Sequence, residues 1–148
     1  MKNFIVYRSS AGSGKTYTLA VNYISLAIGG VLFKKDYYKK ILAITFTNKA
    51  AKEMKERVLH YLYNLSQKND IDNILHAIKL QTNLTEKLIF DFSKSLYNNI
   101  IHNYSDLGIQ TIDKFTYKIV KSFSRDLGVN NDFELELDSQ KIIQPVVT

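Results

Sequence analysis

Three short apolar runs punctuate the chain: Phe4 to Tyr7, Ile41 to Phe46 and Ile109 to Ile112. They are continuous and not alternating, which predicts strands buried on both faces in a parallel sheet covered by helices. Phe133 to Leu137 alternates apolar residues with glutamate, the pattern of a half-exposed or edge strand. Helical spacing fills the intervals. Tyr17, Ala20, Val21, Ile24, Ala27 and Ile28 share one face, and Gly29-Gly30 marks the stop. Ala51, Met54, Val58, Tyr61, Leu62 and Leu65 form a second stripe. Its far face carries Lys52, Lys55 and Glu56, with Glu53 spaced to pair with Arg57.

Ile71, Ile74, Leu75 and Ile78 predict a short third helix. Leu88, Ile89, Phe92, Leu96 and Ile100 predict a fourth, with Thr85 or Asn83 as its N-cap. Ile112, Phe115, Ile119, Val120, Phe123 and Leu127 predict a fifth, closed by Gly128. Strands alternating with helices mean an α/β domain. The two helices between Ile71 and Ile101 follow each other without a strand and read as a helical insertion. The expected division is therefore residues 1–62, a helical insertion at 63–104, and 105–148 with a further strand and helix. Near the end, Asp138 is placed to cap a helix through Ile143, but Pro145 removes a backbone donor. The expectation is an incomplete lobe that stops partway through a larger design.

Composition narrows the class. An apolar share of 45% with 23% charged residues is the balance of a soluble globular domain and excludes disorder and collagen. No apolar run approaches the ~18 residues of a membrane span. The four-residue run before Arg8 is shorter than a signal peptide's ~7–15-residue core. These patterns predict a cytoplasmic protein with no membrane partner. Without cysteine there is no disulfide framework, thiolate metal site or cysteine nucleophile. The net charge of +6 favours polyanionic partners such as nucleic acid. Only Arg8, Arg57 and Arg125 are arginine, so the basic surface is lysine-dominated and poor in guanine-reading forks. His60, His76 and His102 lack metal-ligand spacing and read as surface or boundary residues.

One segment carries specific chemistry. Ser9-Ser10-Ala11-Gly12-Ser13-Gly14-Lys15-Thr16 follows an apolar run and opens an amphipathic helix, the context of a phosphate-binding loop. Gly12 and Gly14 would let the backbone turn left-handed and come close to phosphate. Successive N–H groups from about Gly12 to Thr16 would then form an anion nest at a helix N-terminus. Lys15 would neutralise the β- and γ-phosphates, and the Thr16 hydroxyl would ligate Mg²⁺. Ser9 stands where the usual pattern begins with glycine. A glycine-softened turn that binds nothing is the competing interpretation.

The second run ends in Thr45-Phe46-Thr47-Asn48-Lys49-Ala50-Ala51, which puts an aromatic and three small polar side chains at a strand's C-terminal tip. Open α/β sheets bind ligands there. Phe46 could stack on a base, and Thr47 or Asn48 could meet a phosphate. A core Phe46 followed by Thr47 or Asn48 as a helix cap satisfies the same residues.

Ser10 to Thr16, Thr45 to Ala51 with Glu53-Met54, and Ile109-Gln110-Thr111-Ile112-Asp113-Lys114-Phe115 together resemble motifs I, Ia and Ib of the UvrD/Rep-type superfamily 1 DNA helicases. Phe123, Arg125, Gly128 and Phe133-Glu134-Leu135 also fall where that family carries a helix end and the next strand. The start at a strand, with no upstream adenine-reading glutamine motif, looks most like the RecB/AddA, exodeoxyribonuclease V-like branch. The matches run from about Phe4 to Asp138, although 63–104 carries no family signature.

The resemblance implies a RecA-like P-loop NTPase lobe serving ATP and Mg²⁺. Ser10, Ala11, Gly12, Ser13, Gly14, Lys15 and Thr16 would hold the nucleotide, with Lys15 and Thr16 as the catalytic pair and Thr16 on the metal. Phe46, Thr47, Asn48, Thr111 and Phe115 would lie along the path of single-stranded DNA. It implies a motor in DNA repair or recombination, partnered by the remainder of a helicase chain or by a further protein chain. Asp113 departs from the family's commoner histidine. A carboxylate repels phosphate, so Asp113 is better suited to capping the helix that begins there.

Hydrolysis in that family also uses an Asp for Mg²⁺ and a Glu for the attacking water at a strand end. No Asp-Glu pair follows an apolar strand in this sequence. The expectation is that these residues bind nucleotide and hydrolyse it negligibly. A stand-alone nucleotide-binding module is the alternative. A P-loop kinase-like enzyme ranks last for want of a carboxylate base.

Overall fold

The computed structural model describes residues 5–6, 14–124 and 128. The chain divides into two compact units, Met1–Gln110 and Thr111–Thr148. The first contains α1 (Lys15–Gly30), β1 (Ala43–Thr45), α2 (Asn48–Gln67), α3 (Asp72–Thr82) and α4 (Glu86–His102). Strand β2 (Ile109–Thr111) ends at the boundary, and α5 (Ile112–Ser122) lies in the second unit. Short 3₁₀ turns at Tyr37–Lys40 and Tyr104–Asp106 lead toward the two strands.

The stripes expected for the first four helices are largely the ones buried, whereas that of α5 is not: Ile112, Ile119 and Phe123 are exposed and the helix has no buried residue. Ala20, Val21, Ile24, Ala27 and Ile28 of α1 meet Met54, Val58, Leu62 and Leu65 of α2 in one apolar cluster. That cluster also takes in Ile74 and Ile78 of α3 and Ile89, Leu96 and Ile100 of α4. The pair α3–α4, which carries no strand and no motif, thus shares its core with α1. Polar ties reinforce it. Gln81 Nε2 donates to Asn22 Oδ1 at 2.9 Å, joining α3 to α1, and Lys79 pairs with Glu86 at 2.7 Å across the α3–α4 junction.

Strands β1 and β2 form a small parallel sheet, started by the Ala43 N–H donating to the Gly108 carbonyl at 2.8 Å. Gly108 is required there, because a Cβ would collide with the Ile41 carbonyl oxygen. Lys39 and Asp106, at 2.9 Å, link the turns that precede the two strands.

Several expectations need correction. The second strand is not buried on both faces: Leu42, Ile44 and Phe46 share one side of the pleat, and Leu42 and Ile44 are each 45% exposed. Gly29-Gly30 does not end α1 by leaving the helix. Both residues are helical, and Gly30 is small because Tyr37 packs against its α-carbon. Thr85 occupies the N-cap position of α4 without a side-chain capping bond, while Asn83 closes α3 in a left-handed conformation. On α2 the ion pair formed is Lys52–Glu56, at 3.8 Å.

Helix α5 closes at Ser122, one turn sooner than its apolar spacing suggested, and Leu127 lies outside the described residues. Strand Phe133 to Leu137 and the Asp138 cap also lie outside them, as do Phe4 and Tyr7 of the first run; Ile5 and Val6 carry no strand assignment. His60, His76 and His102 are exposed. No described helix is long and apolar enough to cross a membrane.

Candidate nucleotide and nucleic-acid site

Of the expected phosphate loop, Ser9, Ser10, Ala11, Gly12 and Ser13 lie outside the described residues, whereas Gly14, Lys15 and Thr16 are described. Gly14 is the N-cap of α1 in a left-handed conformation, φ 80° and ψ 13°, which glycine adopts at no steric cost. Its carbonyl accepts the Thr18 N–H at 3.0 Å and so begins the helical ladder.

Its N-cap, Gly14, has no side chain to cap it, and the first turn holds no acidic residue. The amides of a first helical turn have no intrahelical acceptor and carry the positive end of the helix dipole. An anion therefore fits this end better than a cation does. Lys15, exposed, and Thr16, half-buried, stand in that turn. The next residue, Tyr17, packs edge-on against Tyr61 of α2 with ring centroids 6.0 Å apart, so α2 braces the N-terminal end of α1. Both tyrosines were legible as stripe members, but their contact was not.

At the tip of β1 the two readings of the sequence separate. Thr47 is the N-cap of α2, its Oγ1 accepting the Ala50 N–H at 3.1 Å. The Thr45 hydroxyl donates to the Thr47 carbonyl at 3.1 Å and tightens the same turn. Phe46 is not a core residue: it is 88% exposed. Asn48 opens α2 with its side chain in solvent. A single turn thus fixes the backbone through Thr47 and leaves an aromatic ring and an amide projecting beyond it.

In the second unit, Thr111 caps α5, its Oγ1 accepting the Lys114 N–H at 3.4 Å. Asp113 is not the cap; it lies exposed in the first turn, where a carboxylate complements the helix dipole. The buried Thr111 hydroxyl is occupied by this bond. Phe115 is half-buried.

The comparisons with known proteins agree with the motifs. Residues 2–148 match the family model described as the UvrD/REP helicase N-terminal domain. The chain is 34% identical, over 86% of its length, to the RecBCD enzyme subunit RecB of Buchnera aphidicola subsp. Baizongia pistaciae. It is 27% identical over 93% of its length to an ATP-dependent helicase/nuclease subunit of Lactococcus lactis subsp. cremoris. With the corresponding subunit of Streptococcus pyogenes serotype M12 it shares 29% over 90%. The matched region is 11%, 9% and 9% of these relatives, so the chain spans about a tenth of their length. No solved structure gives a significant match. The chain belongs to the UvrD/REP helicase N-terminal domain family.

Proposed function

We propose that this chain is the ATP-binding N-terminal portion of an ATP-dependent DNA helicase or translocase of the RecB/AddA kind, working in repair or recombination. In this reading residues 1–62 are the start of a RecA-like motor lobe, 63–104 a helical insertion, and 105–148 the segment around the third motif. The observation that carries it is the left-handed Gly14 leading into Lys15 and Thr16 in a first helical turn that holds no acidic residue.

Ser10 to Gly14 and the first-turn amides hold the phosphates of Mg-ATP, Lys15 offsets their charge, and Thr16 offers its hydroxyl to Mg²⁺. ATP supplies the free energy of movement when a complete motor turns it over. Phe46, with Thr47 and Asn48 beside it, presents a stacking face and polar groups to single-stranded DNA, and Thr111 and Phe115 contribute from the second unit. The names of the relatives, helicase and helicase/nuclease subunits, support DNA as the partner and a larger assembly as the setting. The cytoplasm is the proposed compartment. Lacking a strand-end Asp-Glu pair, these 148 residues bind nucleotide without appreciable turnover.

Thermal unfolding with and without Mg-ATP, on the wild type and on Lys15→Ala, tests the nucleotide site. A ligand at 100 times its dissociation constant adds about 2.7 kcal/mol. For a domain this size that is a shift on the order of 5–10 °C. The shift is expected in the wild type and lost in the variant. A folded wild type with no shift would sink the nucleotide reading.

A further inference from the structure

Helix α5 divides its surface sharply. At 3.6 residues per turn, Lys114, Lys118 and Lys121 fall within roughly 60° of its circumference. Ile112, Phe115, Ile119 and Phe123 fall within roughly 80° on the other side. All three lysines are exposed, and among the described residues none of them is in an ion pair. The one acidic residue of the helix, Asp113, lies outside the wedge. Tyr117 borders it, and the Lys121 ammonium sits 5.7 Å from the centre of that ring, a cation–π contact that holds the charge over the stripe.

We propose that the Lys114–Lys118–Lys121 face of α5 is a phosphate-tracking surface for single-stranded DNA. This rests on the DNA reading above and extends it from Lys114, inside the third motif, to Lys118 and Lys121, which no motif marks. The three ammonium groups are spread over about 10 Å of helix axis, with successive rises of about 6 and 4.5 Å. That is the scale of one to three nucleotides on a single strand, which rises about 3.4 Å along its axis per phosphate when stacked and more when extended. Lysine is a compact charge on a flexible stem, suited to a backbone whose spacing varies with stacking. Such contacts carry no sequence preference. An anionic membrane would use an amphipathic basic helix differently, burying the Ile112–Phe115–Ile119–Phe123 side along with the lysines.

The test is fluorescence anisotropy of a labelled oligo-dT titrated with the full chain between 50 and 200 mM salt. Lys114→Ala/Lys118→Ala/Lys121→Ala is compared with wild type, with the triple Arg replacement, and with Lys34→Ala/Lys35→Ala/Lys40→Ala, which removes the same charge elsewhere. Circular dichroism checks folding. Three lost phosphate contacts lower the slope of log affinity against log salt by about 2, at about 0.7 per contact. The wild type then loses roughly 20-fold more affinity across that range than the α5 variant does. The Arg replacement is expected to keep the wild-type slope, and the Lys34/Lys35/Lys40 triple to leave it unchanged.

An unchanged slope in the α5 variant overturns the proposal. So does an equal fall in the Lys34/Lys35/Lys40 triple, which would make the effect one of net charge. If Phe46→Ala abolishes binding while the α5 variant retains the wild-type slope, the stripe fails and the DNA reading stands. No binding by the wild type at 50 mM salt fails both. Binding to vesicles of one-third phosphatidylserine without binding to oligo-dT would assign the face to membranes and refute the proposal.

Discussion

The ring of Tyr37 packs directly against the α-carbon of Gly30, so closely that a Cβ there would overlap the Tyr37 ring and its own Cβ. The last turn of α1 and the 3₁₀ turn that follows are joined by this contact. Lys34 and Phe33 donate their N–H groups to the Gly30 carbonyl, at 3.0 Å each, and lock the same corner.

Gly30→Ala is therefore expected to destabilise the chain. Alanine favours helix over glycine by about 0.5–1 kcal/mol, but overpacking against the base of a side chain costs about 1–3 kcal/mol. Urea unfolding should show a lower midpoint with an unchanged slope. A midpoint equal to or above wild type would mean Tyr37 swings away freely.

Adjacent residues at the tip of β1 are expected to answer opposite questions. Phe46→Ala removes a ring that is 88% exposed, so stability should stay within about 0.5 kcal/mol. Affinity for single-stranded DNA should fall by about 1–3 kcal/mol, roughly 5- to 150-fold. Thr47→Ala removes the cap of α2 and should cost about 1 kcal/mol of stability, largely restored by Thr47→Ser. Paired unfolding and binding titrations separate them. A Phe46→Ala chain that unfolds early but binds normally would return that ring to a packing role.

How far the sequence reaches can be judged from these residues. The stripes of α1 and α2 were legible because 3.6-residue spacing reports a face directly. The exposure of Phe46 was not legible, because an apolar residue at a strand end looks the same whether covered or open. Gly30 looked like a helix stop. Its small size answers to Tyr37, seven residues on, and no local propensity encodes that contact. Thr111 as the cap of α5 was hidden behind Asp113, which carries the stronger charge signal but sits inside the first turn.

Alkaline pH should weaken the fold through Tyr23. Burial is the main cause that holds its phenol far above the ordinary value. The neighbouring Tyr38 phenol adds to the shift, and the Gly108 backbone opposes it slightly. Folded Tyr23 thus keeps its proton where the unfolded chain has lost it. The stabilisation is complete below about pH 10 and declines as pH rises above that. Denaturant midpoints measured from pH 8 to 11.5 should fall above pH 10, and Tyr23→Phe should flatten that fall. An equally steep fall in Tyr23→Phe would assign the effect to other groups, Tyr38 first, since burial raises its phenol too.

The shared core of α1 with α2, α3 and α4 has a mechanical corollary. Helix α1 is 16 residues long, about 24 Å, and its buried side is gripped along most of that length. Close-packed interiors have low compressibility and pass strain along. A displacement imposed near Gly14 is therefore hypothesised to travel as motion of a stiff rod, delivered at the far corner where Tyr37 sits. Hydrogen exchange at Tyr37–Lys40 that stays unaltered when Mg-ATP binds would refute this transmission. If exchange there does change, the two helices without a motif are the stiffening of a lever whose short arm lies at Gly14.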